Sequence, residues 1–270
     1  KVKMDVQIGN SFIDFKTISY FAPQLEGNQL RVKAEKGRYC GTVEDFTVSD
    51  MTVEMEGGGF SGVVNGRMKG IPEVMSTTLD GELENCVLTT EGLSRFVTYW
   101  MKGDTLDLSD LAKNETFRIS GKVNGTLNRM VVQPVIKSRI GSATGKDICI
   151  DNILDDKPIT ISGEIKTKDL DVGKVIGTDL VGPTTLTVTA EAAFGGDESP
   201  INASIRSLSV EKLNLYGYDY TDIYGEAVIS DKAIDGRLTC NDPNLNFMTQ
   251  GRYSKVGNTQ DTKYDFVVML

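Results

Sequence analysis

The sequence predicts a mainly β protein: a long, repetitive antiparallel sheet with a few short amphipathic helices. Three observations predict it. Apolar and polar residues alternate at period two through most of the chain. A five-residue pattern, apolar, any, Gly, any, apolar, returns along the alternating stretches. Helical spacing of apolar residues is confined to three short segments.

The strands read in order. Val2, Met4, Val6 and Ile8 fall on one face, and so do Phe117, Ile119, Gly121 and Val123. Ile159, Ile161, Gly163 and Ile165 follow, then a long stripe of Thr184, Leu186, Val188, Ala190, Ala192 and Phe194. Ile201, Ala203 and Ile205 come next, and later Ile234, Gly236, Leu238 and Cys240. Strands with one apolar and one polar face make a sheet that buries one side only.

The glycine pattern reads Tyr39-Cys-Gly-Thr-Val43, Phe60-Ser-Gly-Val-Val64 and Leu79-Asp-Gly-Glu-Leu83. It returns as Ile119-Ser-Gly-Lys-Val123, Ile161-Ser-Gly-Glu-Ile165 and Ile234-Asp-Gly-Arg-Leu238. In each copy the glycine lies on the apolar face. A missing side chain there lets another element approach or lets the strand bend. Six copies with one logic predict strand-by-strand growth of a long sheet.

The clearest helix runs from Thr90 to Lys102. Leu93, Phe96, Val97, Trp100 and Met101 share one face, with Thr90 as cap and Glu91 in the first turn. Asp169 to Ile176 is a second, and Thr17 to Phe21, stopped by Pro23, a third. Their apolar stripes predict caps on the open face of the sheet, with Leu93, Phe96, Val97 and Trp100 closing part of it. The polar loop Asp151 to Pro158 divides the chain into a β-rich lobe over 1–150, holding the helix near 90–102, and a second over 151–270 that continues the same sheet.

Composition limits the chemistry. The 270 residues include no histidine, and the formal net charge is −9. Serine–histidine, cysteine–histidine and histidine-ligated zinc chemistry are therefore unavailable from this chain. An acidic balance argues against nucleic acid. Cys40, Cys86, Cys149 and Cys240 are widely spaced and read as small buried hydrophobes. The longest apolar run, Phe266 to Leu270, reads as a strand at a cut edge of a longer protein.

Motif resemblances fail on inspection. Gly141-Ser-Ala-Thr-Gly-Lys-Asp147 is one residue short of a phosphate loop, with Asp where magnesium needs Ser or Thr. Asp104 to Glu115 lacks the ligands and the glycine of a calcium loop. Ser209-Val-Glu-Lys212 has a nucleophile–lysine spacing but lies in strand text. The carboxylate pairs Asp155/Asp156 and Asp169/Asp171 read as parts of a solvated acidic face. The sequence predicts no catalytic residue, no cofactor and no metal.

Three segments carry a family resemblance. Ser11 to Asn28, with Tyr20-Phe-Ala-Pro-Gln-Leu-Glu-Gly27 before a strand ending at Gly41, resembles the AsmA/TamB-like proteins of Gram-negative envelopes, in particular their long Bacteroidetes members. Phe46-Thr-Val-Ser-Asp-Met-Thr-Val53 is similar to their apolar, any, apolar, any, Asp, apolar step. Leu170-Asp-Val-Gly-Lys-Val-Ile-Gly177 is similar to another recurring step. The resemblance implies a curved sheet shaped like a taco or gutter, with an apolar inner surface. It implies a periplasmic segment of a protein anchored in the inner membrane through parts absent from this chain. It also implies phospholipid or another lipid as ligand, inter-membrane lipid transfer or outer-membrane biogenesis as function, and outer-membrane assembly proteins as partners.

Physics points the same way. A sheet with one apolar face and too few helices to cover it must curl on itself or meet a lipid. The expected inner surface includes Phe117, Ile119, Val123, Ile159, Ile161, Ile165, Leu186, Val188, Ala190 and Phe194. The competing readings are a β-helix or sandwich enzyme acting on polysaccharide through paired carboxylates, and a purely structural β scaffold with a packed interior.

Overall fold

The computed structural model describes residues 2–20, 23, 26–100, 112–155, 157–194, 201–230, 232–255 and 262–270. The chain is mainly β: among these residues seventeen strands pair in open antiparallel sheet and three short helices accompany them. It divides into two compact units. The first holds Lys1–Arg139 with Ile153–Asp155 and Val175–Gly177; the second holds Ile140–Asn152, Asp156–Lys174 and Thr178–Leu270. The main change of unit falls at Arg139–Ile140, and within the loop 151–158, which joins the paired strands β8 and β9, Ile153–Asp155 belong to the first unit.

The first unit is a meander of β1 (Met4–Asp14), β2 (Arg31–Gly41), β3 (Asp45–Met55), β4 (Phe60–Lys69), β5 (Thr78–Thr89), β6 (Thr116–Thr126) and β7 (Arg129–Ser138). Each strand pairs with its sequence neighbour. Helix α1 (Phe15–Ile18) follows β1 and α2 (Thr90–Trp100) follows β5.

The second unit begins with β8 (Gly141–Asp151), β9 (Ile159–Lys168), β10 (Leu170–Asp171), the start of the short helix α3 (Val172–Ile176), whose last two residues belong to the first unit, and β11 (Val181–Phe194). It continues through β12 (Ile201–Leu215), β13 (Tyr218–Tyr220), β14 (Ile223–Ile229), β15 (Ala233–Asp242), β16 (Leu245–Lys255) and β17 (Thr262–Met269). The sheet order is β8, β9, β11, β12, β14, β15, β16, β17. The short β10 and β13 lie along β11 and β12.

Residues directly opposite in a ladder share a face, so the registers show where the apolar stripes go. In the first unit one row joins Phe60, Leu88 and Phe117, and another joins Val64, Leu83, Gly121 and Pro134. In the second unit Ile165, Val188, Leu208, Gly225, Leu238, Thr249 and Val268 form a row across seven strands. A parallel row runs through Ile161, Ala192, Ala203, Ile229, Ile234, Tyr253 and Tyr264. Within each unit the stripes predicted from period two fall on one face.

Strict alternation breaks in several strands, and in β3, β5 and β8 the break has one design. Asp50, Asn85 and Asp147 adopt left-handed backbone at φ 51, 50 and 50, where Asp and Asn are tolerated better than other side chains. Each sits at a register shift, so the inner residues Val48 and Met51, or Leu83 and Cys86, are spaced by three rather than two. The β-bulge absorbs the extra residue. The residue after each bulge presses on a glycine of the neighbouring strand. A Cβ on Gly62 would lie 2.3 Å from the Cys86 Sγ, and one on Gly163 would lie 2.7 Å from the Ile148 Cδ1. The repeated glycines therefore make room for the adjacent strand itself.

Two packed clusters anchor the units. Ala34, Met51 and Val53 are buried in the first, with Ile8, Val32, Val48, Phe60 and Val64 around them. Val210, Ile223 and Cys240 are buried in the second, with Leu186, Tyr220 and Phe247 among their neighbours.

Several local expectations are corrected. Of the four cysteines, all free, Cys86 and Cys240 are buried, Cys149 is half-buried and Cys40 is exposed. Cys40 faces outward because Tyr39 and Gly41 take the inner positions. Helix α1 starts at Phe15, two residues before the expected start, because Asp14 caps it by accepting from the Lys16 N–H at 3.0 Å; Phe21 lies outside the described residues. Only Val172–Ile176 of the second expected helix is helical, since Leu170 and Asp171 pair with β11. At α2 the cap is Thr89, whose Oγ1 accepts from the Gly92 N–H at 3.1 Å. The Thr90 hydroxyl instead donates to the Ala112 carbonyl at 2.6 Å.

Asp242, at the end of β15, is 2% exposed. It accepts from the Asn244 and Thr221 N–H groups and from the Tyr218 and Thr221 hydroxyls. These donors, the Asn244 N–H foremost, hold its pKa below the ordinary carboxylate value.

Two measurements check this account. Gly163→Ala adds a Cβ against Ile148 at a backbone φ of 148, and should cost about 1–3 kcal/mol in urea unfolding. Gly9→Ala, whose Cβ would have only the Glu35 carbonyl as a neighbour, at 3.8 Å, should stay within about 0.5 kcal/mol of wild type. Because the folded pKa of Asp242 is depressed, its stabilisation is present above the unfolded value and lost as pH falls through the folded one. Asp242→Asn should therefore lower the melting temperature at pH 7 and flatten its fall below about pH 4; an unchanged acid limb would refute the assignment.

Candidate functional site

Several of the polar groups singled out in the sequence are engaged structurally. The carboxylate of Asp169 bonds the Lys212 ammonium, which holds its pKa low. Asp171 accepts the Lys174 N–H and pairs with its ammonium. Asp155 accepts from Asn128, while Asp156 lies outside the described residues. Lys212 is thus tied to Asp169 rather than to Ser209, and the stretch Gly141–Asp147 is the extended start of β8 rather than a phosphate loop. Among the described residues no cluster of three or more His, Cys, Asp or Glu side chains is arranged to hold a metal.

The apolar face is the unusual feature. Of its expected members, Ile161 is 37% and Ile165 42% exposed. Phe117, Ile119, Val123, Ile159, Leu186, Val188, Ala190 and Phe194 are half-buried, and none is fully buried. A packed interior would bury most of them. Phe117, Ile119 and Val123 belong to the face of the first unit, the other seven to that of the second.

The second unit's face changes along the strands. The row Leu186, Val210, Ile223, Cys240 and Phe247 is largely covered. Toward the other end of the strands exposure rises, to 44% at Ile234 and 67% at Tyr264. Between lies a depression of about 210 Å³. Its floor is Gly225, Ala227, Gly236 and Gly251, and its walls include Ile205, Leu208, Leu238 and Phe266. The floor exists because adjacent rows place small residues side by side: Gly236 stands opposite both Ala227 and Gly251. The expected site residues do not include this depression. Its signal in the sequence was Gly236 of the repeat, but Gly225 and Gly251 join it only through the register.

Helix α2 is held by backbone. The Arg95 guanidinium donates to the Gly57 and Gly58 carbonyls at 2.9 Å each, and Gly92 packs on Gly59 so closely that a Cβ would clash. Leu93 is half-buried and Phe96 is 45% exposed. The side chains of Val97 and Trp100, the other two expected caps, lie outside the described residues.

The outer face is charged and paired, with Arg38 on Asp5, Arg67 on Asp45 and Arg206 on Glu191. Among the described residues no helix is long and apolar enough to cross a membrane. Compared with known proteins, the chain matches no family model, no curated protein and no solved structure.

Filling the depression should reduce its capacity for apolar probes. Ala227→Trp places an indole over the glycine floor, where Ala227 is half-buried. Nile red fluorescence in the presence of the folded variant should fall clearly below that with wild type, while the melting temperature stays within a few degrees; equal fluorescence would show that the dye binds elsewhere.

Proposed function

We propose that this chain shields lipid acyl chains on its apolar face and serves inter-membrane lipid transfer or outer-membrane biogenesis. The observation that carries the reading is a half-exposed apolar surface that crosses seven strands of the second unit in register. Removing acyl chains from water is worth about 0.8 kcal/mol per buried CH₂, and the surface asks for no catalytic group. The resemblance of Tyr20–Gly27, Phe46–Val53 and Leu170–Gly177 to AsmA/TamB-like proteins supplies the setting: a periplasmic segment, anchored to the inner membrane by other parts of a longer protein, with phospholipid as ligand and outer-membrane assembly proteins as partners.

Charge placed in the face tests the reading. Ile161→Asp and Val188→Asp put a carboxylate at mid-strand positions that water already reaches, so melting should drop by only a few degrees while fluorescent phospholipid binding is lost. Met51→Asp is the contrast. Met51 is 5% exposed in the first unit's packed cluster, and an unpaired charge there should cost several kcal/mol and unfold that unit. Loss of the thermal transition in the Ile161 and Val188 variants would mean a packed scaffold and would end the lipid reading. A normal melt with normal lipid binding would end it too.

A further inference from the structure

We propose that the apolar face of the β15–β16 pair binds one phospholipid lengthwise along its strands, with the headgroup phosphate on Lys232 and Lys255 and the end of the acyl chain against the covered row at Cys240 and Phe247. The proposal rests on the lipid reading above and adds to it a headgroup site and a direction for the chain.

The ladder sets this out. From the covered end outward it pairs Cys240 with Phe247, Leu238 with Thr249, Gly236 with Gly251 and Ile234 with Tyr253, all in one phase and so on one face. One step further in the same phase stand Lys232 and Lys255, whose backbones are joined by the Lys255 N–H donating to the Lys232 carbonyl at 2.8 Å. Both lysines are exposed, and neither has an ion-pair partner among the described residues. Like charges directly opposite each other are destabilising. An anion between them turns the repulsion into two charge-assisted hydrogen bonds.

The spacing fits a phospholipid. From Leu238 to Lys232 the strand advances six residues, or about 20 Å. One bilayer leaflet with its headgroups measures roughly 20–22 Å, of which the acyl chains take about 15 Å. A lipid with its phosphate at the lysines therefore runs its chain over the glycine floor of the depression and ends it near Leu238. Exposure falls along the same path, from 44% at Ile234 to 1% at Cys240, so the chain end lies at the drier end. The opposite orientation meets the wrong charge. Beyond the covered row lies the buried Asp242 carboxylate, and Asp222 is beside it, its carbonyl accepting the Asn241 N–H at 3.0 Å.

Displacement of a fluorescent phosphatidylglycerol from the full chain tests the proposal. Wild type should bind phosphatidylglycerol more tightly than diacylglycerol with the same chains. Lys232→Gln combined with Lys255→Gln removes two charge-assisted bonds. It should weaken phosphatidylglycerol binding roughly tenfold or more, down to the diacylglycerol level. The melting temperature should stay within a few degrees, since both side chains are exposed. Lys232→Arg combined with Lys255→Arg keeps the charges and should keep the preference for the phosphate. Inorganic phosphate alone should not displace the probe even at millimolar concentration. A glutamine variant with wild-type preference for phosphatidylglycerol overturns the proposal and leaves the lipid reading standing, because the headgroup then sits elsewhere. Displacement by micromolar inorganic phosphate would mark a free-phosphate site and overturn it as well. If wild type binds neither lipid, the lipid reading itself fails and this proposal falls with it.

Discussion

The fit between a bulged strand and a neighbouring glycine is the constraint on which the rest of the structure depends. Long strands accumulate mismatch, and a bulge removes it by inserting one residue. Each insertion would turn every later side chain to the wrong face if the strand then resumed alternation in its old phase. The left-handed Asp50, Asn85 and Asp147 take up the extra residue locally, so Met51, Cys86 and Ile148 return to the apolar face. The return brings them against the next strand, where Gly37, Gly62 and Gly163 leave the space. Remove the glycine and the bulge has nowhere to seat its following residue.

That device holds the phase but adds no second layer. The described helices have four, eleven and five residues, too little to cover a sheet of seventeen strands, most of them ten to fifteen residues long. Stability then rests on the ladders and on the two buried clusters, and the open rows are free to meet a ligand.

Polar groups mark the borders of this face. Asp242 gathers four donors at the turn beside the buried row of the second unit, which ties β13 and the β15–β16 turn together. Arg95 does comparable work in the first unit by binding two carbonyls of the β3–β4 turn. On the outer face the arginine–carboxylate pairs lie largely in solvent, where their net contribution to stability is small. Their value is to keep that face charged and the choice of inner face unambiguous.

The sequence by itself determined the class of fold, the strands' apolar faces and the positions where a strand must accept a close neighbour. Period-two alternation and the repeated glycines are local signals, and local geometry alone decides which way a side chain points. It even carried the bulge, since Phe46–Val53 spells Val48, Ser49, Asp50, Met51 with the apolar spacing changed from two to three. Tertiary structure decided what those signals serve. Alternation puts Cys40 out of phase with Tyr39 and Gly41 and Cys240 in phase with Leu238, but that Cys240 ends fully buried beside Val210 and Ile223 is decided by strand pairing. Gly225, Gly236 and Gly251 are far apart in the chain, and only strand pairing sets them side by side as the floor of a depression. Nor does an apolar stripe state whether it will be covered, because burial depends on what packs opposite it, and that is a property of neighbours rather than of the strand.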